Sequence, residues 1–271
     1  MYYPVLPDTA FVPHAKGSQR VQRWLRWLHL AVEFARAAWI LWRHFPRLQR
    51  EEKLDQIRCW AKRVLLILQV EVSCQGAPPP GFAGLLVANH VSWLDILVIQ
   101  SLTPGIFVAK DEVRRWPLVG SVAQACATIF VQRASARSAR AMVDAGVAAF
   151  TQGYCVIGFP EGTSSDGCDV GAFHSNIFEC AIKAQSPVQP LSVRYLNAQT
   201  GLPSEAPVFV GDTSLATSLQ RVMASRSIQA QLHFGACIPA HGQSRKTLAA
   251  QAHQHVRRQL LSHRADHIAG V

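Results

Sequence analysis

Residues 87–95 read "VANHVSWLD", inside a run from Val72 to Ala109 in which Asp95 is the only formally charged residue. The residues before the stretch, "GLLVA" at 84–88, form a short apolar run of the length and composition of a buried strand. The residues after it continue apolar far enough for a helix over 92–102. The expected local structure is thus a strand ending near Asn89, a turn carrying His90, and a helix opening near Ser92. An ionised carboxylate in such apolar surroundings is costly unless it is paired, and His90 stands five residues before Asp95. On one continuous helix, five residues would turn the two side chains about 140° apart. They can meet only if His90 precedes the helix and folds back over its first turn, with Ser92 as N-cap. Asp95 would then accept the proton of one imidazole nitrogen and leave the other as a base. A structural alternative stands beside this: Ser92-Trp-Leu-Asp95 also fits the S/T-x-x-D/E capping pattern.

Outward from this stretch, strand-like runs fall at 84–88, 106–109, 127–131, 154–159, 188–195 and 230–238. Helix-like runs fall at 92–102, 113–125, 135–152, 172–185, 214–224 and 244–262. The alternation predicts an α/β fold with a mixed, largely parallel central sheet flanked by helices. "GAPPPG", Asn89-His90 and Thr103-Pro-Gly105 cut the long apolar stretch into pieces too short to span a bilayer.

The N-terminal quarter differs in charge. Residues 1–70 hold 12 Lys/Arg and 5 Asp/Glu, so most of the chain's net charge of +10 resides there. Residues 1–17 have no basic start followed by an apolar core, and an irregular lead-in rather than a signal peptide is expected. From Ser18 to His44, Trp24, Leu28, Ala31, Ala35, Trp39 and Trp42 recur at three- and four-residue steps and share one helical face. Arg23, Arg26, Glu33, Arg36 and Arg43 fall elsewhere. A second helix, about 50–70, carries Leu54, Ile57, Trp60, Ala61, Val64 and Leu65 on one side. Indoles favour the boundary of headgroup and acyl chain, and arginines suit anionic headgroups. We therefore expect residues 1–74 to be an amphipathic two-helix membrane-docking segment, a hinge at 75–81, and a main domain over 75–271. The alternative is a helical hairpin whose tryptophans are ordinary core.

The seven cysteines include no C-x-x-C, and several lie in apolar runs, which predicts reduced, buried thiols. His253, His255, His263 and His267 in the tail lack a carboxylate or thiol cluster and predict a solvated basic helix, with no metal site. A nucleic-acid-binding protein is weighed against this on the strength of the basic balance. The main domain has no aromatic-plus-basic readout motif, and the charge clusters with tryptophans on one helix, so no nucleic-acid partner is expected.

A second cluster is "FPEGTSSDG" at 159–167, after the strand at 154–159. A rigid proline, a permissive glycine and hydroxyl residues at a strand's carboxyl end make a loop whose N–H groups can converge on a headgroup. It is not a nucleophile elbow, because Gly162-Thr-Ser-Ser-Asp166 lacks the last glycine of G-x-S-x-G. It is not a phosphate-binding Walker loop, since no Gly-Lys-Ser/Thr follows.

"NHVSWLD" and "FPEGT", about seventy residues apart, resemble the first and third blocks of the glycerolipid (lysophospholipid) acyltransferase family. Ala127-Thr-Ile-Phe-Val-Gln-Arg133 resembles its second block, with alanine in the place of glycine, and Val188-Gln-Pro190-Leu its fourth. Trp116-Pro-Leu-Val-Gly120, after Lys110, is also similar. The resemblance covers about residues 82–195. It implies transfer of a fatty acyl group from acyl-CoA or acyl carrier protein to the free hydroxyl of a lyso-lipid, foremost 1-acyl-glycerol-3-phosphate. It implies His90 as general base, Asp95 as its support, and Glu161, Gly162 and Thr163 as holders of the acceptor headgroup. Lys110 and Arg133 would be the anion contacts. No metal or organic cofactor is implied, and the expected place of work is the cytoplasmic face of the inner membrane. One position departs from the pattern: the lysophosphatidate enzymes usually continue the third block with an arginine that serves the acceptor phosphate, and Ser164 stands here. A hydroxyl cannot replace a bidentate guanidinium, which raises a lyso-ornithine lipid as the alternative acceptor. An inactive lipid-binding protein of the same fold is the alternative of a different class.

Overall fold

The computed structural model describes residues 19–116, 118–132 and 135–268. Residues 1–17 and Arg133, which figure in the expectations above, lie outside them, as do the side chains of His263 and His267. Two helices come first, α1 (Gln19–Arg43) and α2 (Arg50–Leu68). Gln49 starts α2 with a capping box in which Glu52 accepts its N–H at 2.8 Å, and Gln69 ends it in the left-handed region at φ 57°. The chain then enters β1 (Val70–Gln75).

The rest alternates. In order come β2 (Leu85–Ala88), α3 (Leu94–Leu102), β3 (Ile106–Lys110), α4 (Val119–Ala125), β4 (Ile129–Val131) and α5 (Ala136–Thr151). They are followed by β5 (Val156–Gly158), α6 (Phe178–Ala184), β6 (Val188–Asn197), α7 (Leu215–Ala224), β7 (Ile228–Phe234) and α8 (Arg245–Ile268). The helices expected over 113–125 and 172–185 each begin with a separate 3-10 turn, Asp111–Arg115 and Ser175–Ile177. The seven strands form one sheet in the order β1-β7-β6-β2-β5-β3-β4, parallel everywhere except between β6 and β7. This is the mixed, largely parallel sheet that the alternation predicts.

Successive strand residues point to opposite faces, so each central strand feeds two cores. Leu86, Ala88, Phe107, Ile157, Leu191 and Val193 belong to the core under α2, α3 and α7. Leu85, Val87, Ile106, Val156 and Val188 belong to the core under α5, α6 and α8. Leu85 and Leu86 are fully buried, each stabilising the fold by roughly 1.5–3 kcal/mol relative to exposure. All four parallel strands from β2 to β4 end on the same edge, and their carboxyl ends deliver the residues of the candidate site.

The sequence reading continues the second helix to Val70 and places a hinge at 75–81, and the structure corrects this. Residues 70–75 are an edge strand paired in parallel with β7, Val70 opposite Ile228 through Gln75 opposite His233. The 74/75 division therefore falls inside a strand of the main sheet. The two N-terminal helices are also fastened to that sheet. Leu30, Ala61, Val64, Leu65 and Leu68 are part of the first core, and Trp27, Phe34 and Trp60 pack against it. Buried Glu33 is bonded by Arg63 at 2.7 Å. Arg26 donates to the carbonyls of Ile67, Leu68 and Met223 at 2.8–2.9 Å, closing the C-terminal ends of α2 and α7. The tryptophan face predicted on α1 is left outside this packing, with Trp24 76% and Trp42 78% exposed beside Leu28 and Trp39.

Candidate functional site

The turn after β2 is set by Asn89, whose buried amide bonds both ways to Val193 of β6, Nδ2 to the carbonyl and Oδ1 to the N–H, each at 2.8 Å. This side chain prolongs the strand pairing by one residue and fixes where the chain leaves the sheet. His90 follows, then α3.

Asp95 is fully buried in the first turn of α3. Its Oδ2 accepts from the Val91 N–H at 2.8 Å and the Ser92 N–H at 2.9 Å, and lies 2.8 Å from His90 Nδ1. Its Oδ1 accepts from the Tyr195 hydroxyl at 2.7 Å. A carboxylate only accepts, so Nδ1 carries the proton and a neutral ring keeps its lone pair on Nε2. The capping and catalytic readings of Asp95 thus coincide: one carboxylate ties down two turn N–H groups and the imidazole together. The helix opens one residue later than expected, with Trp93 at the cap, and the Ser92 hydroxyl accepts from the Leu94 N–H at 3.2 Å.

The loop after β5 closes on the same histidine. Glu161 Oε1 accepts the His90 N–H and Oε2 the Gly171 N–H, both at 2.7 Å. The His90 carbonyl accepts from the Ser165 N–H at 2.8 Å and its hydroxyl at 3.2 Å. The imidazole stacks on Phe159 with ring centres 4.0 Å apart and planes at 12°, and Phe159 in turn leans on Phe107. His90 is held by main chain, ring face and Nδ1 at once. Among the described residues nothing bonds to Nε2, and the side chain remains 21% exposed.

Sequence reasoning assigns Glu161 to the headgroup, and in the structure its side chain is engaged by main chain. Both its oxygens are occupied by main-chain N–H groups, and it is buried. Burial raises its carboxyl above the usual range, against the lowering effect of the two N–H donors. Gly162 takes the left-handed turn at φ 69°, its N–H reaching the Phe159 carbonyl at 3.0 Å. Thr163 is exposed at the loop's rim. Ser164 donates its hydroxyl to the Phe209 carbonyl, and the Phe209 N–H donates to the Val91 carbonyl at 3.1 Å. Residues 205–210 therefore cross the site as a strap tied to both loops. Lys110 ends β3 on the same sheet edge. Arg133 lies outside the described residues.

Tyr195 is the site residue that the sequence reading misses. Its alternation with Val193 and Leu191 marks it as core, and nothing local signals a partner 100 residues away. Burial, and behind it the Asp95 charge, pushes its hydroxyl well above the ordinary tyrosine range, so it remains a donor. The tail also serves the site. Val256 and Leu260 of α8 pack on Val170, Arg257 pairs with Asp169 at 2.7 and 2.8 Å, and His253 bonds the Val170 carbonyl at 3.2 Å. These contacts hold the segment that presents Gly171 to Glu161, so the expected solvated face of α8 is solvated in part only. Burial pushes the thiols of Cys126, Cys155 and Cys180 up to about 12, whereas Cys59, Cys74 and Cys168 are exposed, contrary to expectation.

A family model for acyltransferases matches residues 69–194, which run from β1 into β6 and include His90, Asp95 and the loop after β5. The lyso-ornithine lipid O-acyltransferase of Pseudomonas aeruginosa is 35% identical over 200 residues, 74% of this chain and 76% of that protein. The 1-acyl-sn-glycerol-3-phosphate acyltransferase of Neisseria meningitidis serogroup B is 32% identical over 172 residues, 63% of this chain and 67% of that protein. The crystal structure of the 1-acyl-sn-glycerophosphate acyltransferase of Thermotoga maritima has the same fold, with a TM-score of 0.62 at 24% identity, covering 90% of this chain and 98% of that one. With the paired His90 and Asp95 on its matched segment, the chain belongs to the acyltransferase family that includes both of these kinds of lyso-lipid enzyme.

Proposed function

We propose that this acyltransferase uses His90 as general base on a lyso-lipid hydroxyl. Nε2 takes the hydroxyl proton while the oxygen attacks the thioester carbonyl. The tetrahedral intermediate collapses with cleavage of the C–S bond, and the imidazolium returns the proton to the leaving thiolate. Asp95 holds the ring and offsets its positive charge during the step, and Glu161 positions the His90 main chain. The thioester is already activated, so the chemistry asks for neither a metal nor an organic cofactor. Acyl-CoA and acyl carrier protein are both suitable donors. The observation that carries the reading is the His90 Nδ1 to Asp95 Oδ2 bond at 2.8 Å with Nε2 left open.

For the acceptor we favour a lyso-lipid without a phosphomonoester, such as lyso-ornithine lipid. Ser164 stands where the resembling lysophosphatidate enzymes carry arginine, and its hydroxyl is engaged by the strap at Phe209. A phosphate would find no guanidinium at that place. Lysophosphatidate is the second reading, supported by the 32% identity to a 1-acyl-sn-glycerol-3-phosphate acyltransferase and by Lys110 on the site's edge. A panel of lyso-ornithine lipid and lysophosphatidate with one acyl thioester tests the choice, and faster transfer to lysophosphatidate would reverse it.

The exposed Trp24, Leu28, Trp39 and Trp42 face supports membrane docking through α1, at the cytoplasmic face of the inner membrane. Among the described residues no helix is long and apolar enough to cross a membrane.

A further inference from the structure

Away from His90, α1 and the turn between α7 and β7 enclose a cavity of about 100 Å³ lined by Gln22, Arg23, Arg26, Gln69, Met223 and Arg226. It is continuous, through Arg23 and Met223, with a more apolar groove of about 660 Å³ that adds Trp24, Trp27 and Gln220. The charges in the cavity are not alike. Arg26 is committed to three helix-end carbonyls, whose partial negative charge offsets its own. Arg23 and Arg226 are exposed, and among the described residues neither has a hydrogen bond or a carboxylate partner. After burial, the Arg226 charge is the next cause lowering the Arg26 pKa, as expected where like charges face each other without a counterion. Two unneutralised guanidinium groups thus stand at one end of an apolar groove floored by indole and thioether. The groove opens beside Trp24, Leu25 and Leu28, the outward face of α1.

We propose that this junction binds one anionic phospholipid, with its headgroup phosphate between Arg23 and Arg226 and the start of an acyl chain along Trp24, Trp27 and Met223. The inference rests on the membrane-docking reading above and goes beyond it: a uniform lipid-facing helix needs no discrete site, and Arg226 belongs to the main domain. Occupancy would join α1 to the α7–β7 turn through a shared lipid and set the enzyme's orientation on the surface. Arginine suits this role because its fork meets phosphate oxygens two at a time.

The test is a titration of the full-length protein with dispersed short-chain phosphatidylglycerol, followed by indole fluorescence. Short-chain phosphatidylcholine and inorganic phosphate serve as parallel arms. Saturable binding of one phosphatidylglycerol per chain is expected, weakened about 10-fold or more in Arg23→Gln/Arg226→Gln. The control Arg43→Gln/Arg47→Gln removes the same charge from the C-terminal end of α1 and the 3-10 turn after it, and should bind as the unaltered protein does. Equal loss in both double variants would overturn the proposal in favour of diffuse surface charge. Equal binding of phosphatidylcholine would remove the anion from it, and binding of inorganic phosphate as tightly would remove the lipid. Displacement of phosphatidylglycerol by lyso-ornithine lipid, which carries no phosphate, would place it in the catalytic site and also refute it. Docking is read separately, by sedimentation with phosphatidylglycerol vesicles: if the protein ignores vesicles altogether, the membrane reading itself has failed.

Discussion

The Tyr195 hydroxyl donates to Asp95 Oδ1 at 2.7 Å, joining the sixth strand to the first turn of the helix that carries the site's carboxylate. Both groups are buried, so removing the donor leaves a carboxylate oxygen without its partner. Tyr195→Phe keeps the ring and should cost about 1–3 kcal/mol of stability. It should also lower kcat more than it changes KM, because Asp95 then holds His90 less firmly. Denaturant titration and steady-state kinetics on the same preparation check both. An unchanged kcat would confine Tyr195 to a structural role.

Glu161 gives the site a pH signature. Burial holds its folded-state carboxyl above the reference of 4.5, so the folded protein binds this proton more tightly than the unfolded chain does. Its contribution to stability is fully present below about pH 4.5 and is lost as pH rises through the higher folded value. Glu161→Gln should abolish that slope. It should also destabilise the protein at neutral pH by about 1–3 kcal/mol, since one of two N–H donors loses its acceptor. Melting curves at several pH values for both proteins test the sign.

Ala127 occupies φ 57°, in the left-handed region, at the place where the resembling second block has glycine. A non-glycine residue there carries a strain of about 1–2 kcal/mol, part of which glycine would return as unfolded-state entropy. Ala127→Gly should therefore stabilise the enzyme, by about 0.5–1 kcal/mol. A lower melting temperature would contradict this.

Arg26 closes three carbonyls at the ends of α2 and α7. Arg26→Ala should loosen α1 from the main sheet and cost about 2–4 kcal/mol, because bonds to a charged donor are lost and their acceptors are half-buried. Limited proteolysis should then cut first between α1 and α2. Resistance equal to that of the unaltered protein would show that Glu33, Arg63 and the apolar contacts suffice.

The parts legible in the sequence are those with local signals. Strands β2 to β7 announce themselves as short apolar runs, and the His90 turn follows from the strand end and the helix start. Strand β1 is not legible, because Val70 is its only buried residue and no glycine or proline separates it from α2. The break is made by Gln69 in a left-handed conformation that its residue type does not advertise. Glu161 is found in the right loop, but its main-chain partners are not legible, since they are N–H groups 71 and 10 residues away. The same holds for Ser164, whose hydroxyl answers to a strap that has no motif of its own. The tryptophans of α1 divide by face: Trp27 joins the core contacts, while Trp24, Trp39 and Trp42 face outward.

The chemistry is tested most directly by following thiol release from acyl-CoA in the presence of a lyso-lipid, for the unaltered enzyme and for His90→Ala. Near-ultraviolet circular dichroism and vesicle sedimentation should show the variant folded and docked as before. A general base contributes about 10²–10⁴-fold, so release by His90→Ala should fall to background. Turnover near that of the unaltered enzyme would mean that the proton leaves the acceptor by another route.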